Sequence, residues 1–429
     1  MLRTKRWPIA GVASLGLLAA LSHVLLAPAT ARATTFTLVA ETGTGSAYTS
    51  LTPAPAFSLP DSRMFPVIND AGEVAFWAQS ATGQEIVRGN GSALVTIHQL
   101  TAGGSTSYRF AGLAMNSAGR VAFATTTGFT SSTLLVGDGT GPASVRASGG
   151  ANAFSDLSIA ADGTVVESTY DDTLNYTLLR AWQPGATTAT VLADTSTNVY
   201  GSFAFTDISA DGRYVAFGVP YVGSSNATVG RIDRATGLTT TVATSAEIPN
   251  AVSVSMNDLG TVAVVSSTQP YWSSTPGQTA LYTRAVGGPL TLFATAATLG
   301  VTSIDAVSID NAGNLLYLTD AGTASAAIYD ATLGRLIGVG DSLFGSVVSD
   351  IAMHEAFALN NNGQFAFWAK LSDGREVVAL ADTGRGAAAP GPTVPEPRSS
   401  SLLEVLGTVI ALRFVSTYGE RPRTAARAS

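Results

Sequence analysis

Residues 67–78 read VINDAGEVAFWA and residues 358–369 read ALNNNGQFAFWA, so nearly the same twelve residues stand near both ends of the chain. Five more copies lie between them. The seven copies are centred on Gly72, Gly119, Gly163, Gly212, Gly260, Gly313 and Gly363, with steps of 44 to 53 residues. A sequence period of this size is typical of solenoids, propellers and related repeat arrays.

Each copy reads as an apolar strand, an N-x-x-G turn and a second apolar strand. An asparagine at the first turn position bonds its side chain to backbone amides further along the turn, and the glycine three residues later supplies a positive φ. Asn69, Asn116, Asn257 and Asn360 occupy the asparagine slot. In the first copy Val74, Phe76 and Ala78 alternate with Ala75 and Trp77, which predicts a strand buried between two sheets.

Two further strand-like runs complete each period, so every repeat predicts a four-stranded sheet. Seven such sheets predict an all-β, seven-bladed β-propeller over residues 34–383. The last repeat has no fourth strand after residues 375–381, and an unpaired strand stands at residues 34–40, before the first repeat. If this N-terminal strand joins the seventh blade, the ring closes without an open sheet edge, and the first and last repeats become neighbours.

The segments outside the repeats indicate export. Residues 1–33 combine Arg3, Lys5 and Arg6 with an apolar core and a closing A-R-A, which predicts a cleaved signal peptide; the alternative is an uncleaved membrane anchor. Residues 384–401 form a linker rich in Pro, Gly, Ala and Ser. Residues 402–429 form a short apolar segment followed by a basic tail.

The composition excludes several classes of function. The net charge is −7, and loss of the predicted signal peptide removes four cations and no acid. Such an acidic chain is not expected to bind nucleic acid or an anionic membrane surface. There is no cysteine, which excludes disulfides, thiolate metal sites and cysteine nucleophiles.

The tandem NxxGxxAF copies resemble those of the choice-of-anchor tandem-repeat family of secreted bacterial proteins, over roughly residues 35–383. Ala160, Ser209 and Asp310 depart from its asparagine slot. The family brings no established activity.

The C-terminal segment is similar to the PEP-CTERM sorting signal, through the motif formed by Val394, Pro395, Glu396 and Pro397 and the apolar run after it. Residues 1–33 predict processing by signal peptidase. The resemblance of the tail implies processing by an exosortase, only transient membrane attachment through the tail, and delivery to the surface or exterior of a Gram-negative-type bacterium. The apolar run Leu402–Leu412 is short for a spanning helix and contains Glu404, so the alternative is a degenerate signal on a simply secreted protein.

Few residues point to catalysis. His98 lies in a predicted outer strand and His354 precedes the last inner strand, and no G-x-S-x-G motif accompanies either. No metal, cofactor or catalytic residue is predicted. Trp77 and Trp368 occupy equivalent positions and favour packing between sheets over ligand stacking.

Four aspartates are the candidate ligand-binding residues. Asp156, Asp207, Asp305 and Asp350 each precede a predicted inner strand, which would place them near one rim of the central channel. Capping of loop backbone is the simpler interpretation of these residues.

Three functions remain open. The first is a non-catalytic module that binds a matrix polysaccharide, a surface protein or a small ligand. The second is a carboxylate-based polysaccharide lyase or glycosidase that uses the four aspartates. The third is a scaffold for assembly at the cell surface.

Overall fold

The computed structural model describes residues 34–51, 65–101, 106–108, 112–127, 131–150, 154–171, 176–196, 203–219, 227–269 and 277–386. The predicted signal peptide (1–33), the linker beyond residue 386 with its Val394–Pro397 motif, and the tail (402–429) lie outside the described residues.

Seven antiparallel sheets follow one another along the chain, and their arrangement confirms the predicted seven-bladed propeller. The first strand, β1 (Thr35–Glu41), belongs to the last sheet. Blade 1 contains β2 (Tyr48–Ser50), β3 (Val67–Ile68), β4 (Val74–Ser80), β5 (Gly83–Gly89) and β6 (Leu94–Thr101). Blade 2 contains β7 (Thr106–Tyr108), β8 (Ala114–Met115), β9 (Val121–Thr127), β10 (Ser131–Gly137) and β11 (Ser144–Gly150).

Blades 3 to 5 have four strands each. Blade 3 contains β12 (Phe154–Ile159), β13 (Val165–Asp171), β14 (Tyr176–Trp182) and β15 (Thr190–Asp194). Blade 4 contains β16 (Ala204–Ile208), β17 (Tyr214–Gly218), β18 (Ala227–Asp233) and β19 (Leu238–Thr244). Blade 5 contains β20 (Asn250–Met256), β21 (Val262–Ser267), β22 (Thr279–Arg284) and β23 (Thr291–Thr295).

A four-residue helix, α1 (Ala296–Leu299), follows blade 5, and no helix among the described residues is long enough to cross a membrane. Blade 6 contains β24 (Ile304–Ile309), β25 (Leu315–Thr319), β26 (Ala327–Asp330) and β27 (Gly334–Gly338). Blade 7 contains β28 (Ser342–Leu343), β29 (Ser346–Ala352), β30 (Gln364–Leu371) and β31 (Glu376–Asp382), with β1 outermost.

The closure of the ring joins the two ends of the repeat array. Strand β1 runs antiparallel to β31, with Phe36 opposite Ala381 and Leu38 opposite Ala379. Polar contacts secure the same junction: Glu376 accepts hydrogen bonds from the Ser50 hydroxyl (3.0 Å) and the Leu51 amide (2.6 Å). The N-terminal strand therefore covers the edge that β31 would otherwise expose.

The cores lie between neighbouring blades, because strands such as β17, β21 and β25 bury both of their faces. Phe76 packs in one cluster with Trp368 and other residues of blade 7, whereas Trp77 packs in another with Phe123 of blade 2. Trp77 and Trp368 are 3% and 5% exposed, so both tryptophans fill space between sheets and neither offers a ring face to a ligand.

Candidate functional site

The seven repeat turns, four of which have the N-x-x-G sequence, lie at one end of the inner strands, and each closes a β-hairpin. In blade 1 the Asn69 Oδ1 atom accepts hydrogen bonds from the amides of Ala71 (3.1 Å) and Glu73 (2.9 Å). The glycine of every turn has a positive φ, between 72° and 90°, at Gly72, Gly119, Gly163, Gly212, Gly260, Gly313 and Gly363. This end of the propeller is called the turn face below.

The asparagine side chains also connect the blades. The Nδ2 atom of Asn116 donates to the carbonyl of Ala160 in blade 3 at 2.9 Å, and that of Asn257 donates to the carbonyl of Asp310 in blade 6 at 3.0 Å. Across the closure, Asn360 donates to the carbonyl of Asn69 at 2.8 Å. One buried side chain thus caps its own turn and binds the next turn around the ring.

The residue after each slot contributes to a ring of side chains around the axis, called the mouth ring. Its members are Asp70, Ser117, Ala161, Ala210, Asp258, Asn311 and Asn361. From Ala210 round to Asp70, the backbone amide of one member bonds to the side chain of the next: Asp258 N donates to Asn311 Oδ1 (2.8 Å), and Asn311 N donates to Asn361 Oδ1 (2.8 Å). Asn361 N then donates to Asp70 Oδ1 (2.9 Å).

The residue before each slot forms a second, apolar ring one level deeper. Its members are Ile68, Met115, Ile159, Ile208, Met256, Ile309 and Leu359, all between 5% and 8% exposed. Together the two rings line a cavity of about 120 Å³ on the axis, called the axial pocket. Ligand sites combine apolar walls with a few polar groups, and this cavity has both, but it is smaller than the clefts of about 300–1,000 Å³ that enclose drug-sized molecules.

A segment of blade 7 forms the base of the axial pocket. Between β29 and β30 the chain leaves the inner-strand path, and the carbonyl of Ala356 accepts hydrogen bonds from the hydroxyls of Ser255 (3.1 Å) and Ser308 (2.8 Å) in blades 5 and 6. The carbonyl of Phe357 accepts from the amide of Ile68 in blade 1 at 3.0 Å, and its ring packs against the apolar clusters of blades 1 to 3. This segment therefore bridges the channel.

The two histidines among the described residues, His98 and His354, take structural positions. His354, 1% exposed, lies in the bridging segment, and its Nδ1 accepts the amides of Ala356 (3.1 Å) and Phe357 (3.3 Å). His98 lies in β6, the outer strand of blade 1, with its ring 5.5 Å from that of Phe123, and burial lowers its pKa. Among the described residues, no group of three His, Asp or Glu side chains is arranged to hold a metal ion.

The four candidate ligand-binding aspartates lie within the inner strands rather than before them. Asp156 and Asp207 are buried, and each accepts an amide of the following blade: Thr206 N donates to Asp156, and Met256 N donates to Asp207 at 2.7 Å. Burial raises the pKa of Asp207 well above its usual value, and the neighbouring carboxylates Asp156 and Asp258 raise it further.

The other two aspartates lie in β24 and β29. Asp305 accepts the Ser303 hydroxyl (3.0 Å) and the Ala321 amide (2.8 Å), and Asp350 pairs in register with Lys370. Of the four, only Asp207 lines the axial pocket. The four aspartates therefore do not meet at the axial pocket, because Asp156 and Asp207 are held by amides of the next blade and Asp305 is held by the amide of Ala321.

Glu167 is a buried acid that the repeat pattern contained but that sequence reasoning missed. It stands four residues after Gly163, where Phe76, Phe123 and Phe367 stand in other blades. It is fully buried, and its Oε1 accepts Arg180 Nε (2.6 Å) and Trp182 Nε1 (3.2 Å), while Oε2 has no hydrogen-bond partner among the described residues. Burial raises its pKa to about 7, against the lowering effect of Arg180.

Comparisons with known proteins find similarity in fold alone. No family model and no curated protein matches the chain. An oligogalacturonate lyase in complex with manganese is 12% identical at a TM-score of 0.50, covering 82% of this chain and 96% of that one. A puromycin-hydrolysing peptidase of Mycobacterium tuberculosis is 14% identical at 0.50, covering 83% of this chain and 56% of that one. The β-propeller domain of the trilobed protease from Pyrococcus furiosus is 10% identical at 0.47, covering 78% of this chain and 99% of that one.

Proposed function

We propose that this protein is an exported, non-catalytic binding module of a bacterial cell surface or exopolysaccharide matrix, and that the axial pocket is its ligand site. The observation that carries the proposal is the pocket itself: a cavity at the turn face with polar side chains at its mouth and apolar side chains below. Export through a signal peptidase and an exosortase belongs to the same proposal and rests on residues 1–33 and the Val394–Pro397 motif.

A hydrolytic or lyase activity receives less support from the geometry. A glycosidase needs two carboxyl groups placed about 5–9.5 Å apart across one bond. Asp156 and Asp207 instead each hold a backbone amide of the next blade, and Asp305 holds the amide of Ala321. These contacts are those of structural carboxylates.

The test is to block the pocket without removing any hydrogen-bonding side chain. Ala161 and Ala210 are exposed members of the mouth ring, so Ala161→Trp and Ala210→Trp place a large ring over the pocket. Ala118→Trp is the matched control, because Ala118 is exposed on the turn face but lies outside the pocket lining.

The variants are compared with the parent on arrays of bacterial matrix polysaccharides. We expect the parent and Ala118→Trp to bind a common set of glycans and the two mouth variants to lose them, with unchanged unfolding temperatures. Equal binding by all four proteins would place the ligand site elsewhere. Release of new reducing ends or unsaturated products from a bound glycan would favour the enzymatic alternative, whereas binding to a surface protein and to no glycan would favour the scaffold.

A further inference from the structure

We propose that the axial pocket recognises the ammonium-bearing end of an amino sugar, a deacetylated hexosamine unit of a matrix glycan. This inference rests on the proposed function and adds the chemical class of the ligand. It follows from the charge at the mouth, from the hydrogen-bonding groups there and from the size of the cavity.

The charge at the mouth has one sign. Asp70 and Asp258 belong to the mouth ring, and none of the described residues that line the pocket is Lys, Arg or His. A uronate or another anionic sugar would bring a second negative charge to this site with no cation to pair with it, which is unfavourable. An ammonium group would instead find carboxylate acceptors, which make the stronger, charge-assisted hydrogen bonds.

The carboxylates are held in place by their neighbours. Asp70 Oδ2 accepts from Asn361 Nδ2 at 3.0 Å, and Asp258 Oδ2 accepts from Asn311 Nδ2 at 2.6 Å. Each carboxylate is thereby fixed in position, while its oxygens retain further lone pairs for a ligand. Pre-ordered acceptors of this kind bind with a smaller loss of side-chain entropy than free ones do.

The remaining polar groups of the mouth suit hydroxyl groups. Each amide nitrogen of Asn311 and Asn361 carries two hydrogens, and the bonds to Asp258 and Asp70 use one of them. Ser117 adds an exposed hydroxyl, which both donates and accepts. A sugar hydroxyl needs donors and acceptors side by side, and the mouth ring presents both. A simple alkylammonium group would use only the acceptors.

The size of the cavity limits how much of the ligand enters. A cavity of about 150 Å³ lined by aliphatic and aromatic side chains holds one benzene molecule. The axial pocket, at about 120 Å³, therefore takes one edge of a hexose ring, with its C–H groups against the apolar ring that includes Ile208, Met256 and Ile309. The rest of the glycan stays outside, so the pocket binds a terminal sugar or an exposed sugar unit of the chain.

The experiment compares three sugars of one size by titration calorimetry, at a pH below the amine pKa. The probes are the trisaccharide of glucosamine, its fully N-acetylated counterpart and trigalacturonate. We expect the parent protein to bind the amine at least about tenfold more tightly than the neutral sugar, and trigalacturonate not at all. Asp70→Asn and Asp258→Asn should each weaken binding of the amine by about tenfold, with little effect on the neutral sugar.

The control variant is Asp162→Asn, which removes the same charge from an exposed turn-face position outside the pocket lining. Equal affinity for the amine and the N-acetyl sugar, or preference for the uronate, overturns the inference, even if a mouth variant fails to fold. Tighter binding of Nα-acetyl-lysine amide than of the amino sugar would also overturn it, in favour of a protein partner. If matrix glycans bind but none of the three probes does, the inference fails and the proposed function stands; if no glycan binds, both fail.

Discussion

Replacement of Glu167 by glutamine should change how the stability of the propeller depends on pH. Glu167 is fully buried, and burial raises the pKa of its carboxyl from the ordinary 4.5 to about 7. As pH rises through about 4.5 the unfolded chain releases this proton, whereas the folded protein keeps it until about pH 7. The folded state binds more protons in that interval, so stability falls with rising pH. At about 1.4 kcal/mol for each pH unit, the full loss is on the order of 3 kcal/mol.

Glutamine keeps an oxygen for Arg180 and Trp182 but carries no titratable proton. We therefore expect Glu167→Gln to be close to the parent in stability near pH 4 and more stable by about 2–3 kcal/mol near pH 8. Urea unfolding followed by tryptophan fluorescence across this range measures the difference at each pH. Other buried acids, Asp207 among them, titrate in both proteins and cancel in the comparison.

A matched control uses an exposed glutamate with the opposite tendency. Hydrogen bonds from the amide and hydroxyl of Thr244 lower the pKa of Glu247. A lowered folded pKa gives stability that is present above the unfolded value and lost toward acid, so Glu247→Gln should weaken the protein slightly at neutral pH. If Glu167→Gln follows the parent curve in parallel from acid to neutral pH, the argument from burial is refuted.

Three further predictions concern the ring and its turns. Deletion of residues 34–40 should lower the unfolding temperature by several degrees. Strand β31 loses its partner, and the ring of Phe36 no longer packs edge-on against that of Phe367, with 6.0 Å between the ring centres. An unchanged unfolding temperature would contradict closure by β1. Gly313→Ala should cost about 1–2 kcal/mol from its φ of 82° alone, since an added Cβ meets nothing within 4 Å. Gly119→Ala should cost more, because its Cβ would collide with Arg88 Nη1 and displace that atom from its hydrogen bond to the Gly119 carbonyl. Equal losses of stability by urea unfolding would refute the contrast. Asn257→Asp should lower the free energy of unfolding by about 1–3 kcal/mol. The aspartate keeps the oxygen that accepts from the turn amides but has no N–H group to donate to the Asp310 carbonyl. A stability equal to that of the parent would show that this bond between blades contributes nothing.

The architecture could be predicted because the local sequence of each repeat determines its turn and its buried strand faces. The N-x-x-G spacing requires a tight hairpin with a positive φ at the glycine, and the alternation of Val74, Phe76 and Ala78 requires two buried faces. The number of strands in each repeat and the unpaired N-terminal strand then predict that this strand closes the ring. None of these steps needs information on contacts between distant residues.

The site could be predicted only in part, because its chemistry depends on which neighbour each residue faces. The residue after each slot varies as Asp, Ser, Ala, Ala, Asp, Asn and Asn, which reads as turn variation in sequence. That these residues form one ring can be recognised only when the seven turns are arranged around one axis. Glu167 left a visible signal, an acid in place of the repeat's phenylalanine, but its partner Arg180 lies on the next strand and is found through strand register.

Blades 3 and 4 show how the ring tolerates loss of the asparagine. Ala160 and Ser209 replace it, so these blades have no side-chain amide to donate to the following turn. In the same two blades Asp156 and Asp207 accept amides from the next inner strand. Blade 5, which retains Asn257, uses neutral Ser255 at the position equivalent to Asp207 and bonds the amide of Ile309 at 3.3 Å. Asp156 and Asp207 thus make the same kind of contact with the next inner strand that Ser255 makes in blade 5. This contact between blades is therefore present with and without the turn asparagine.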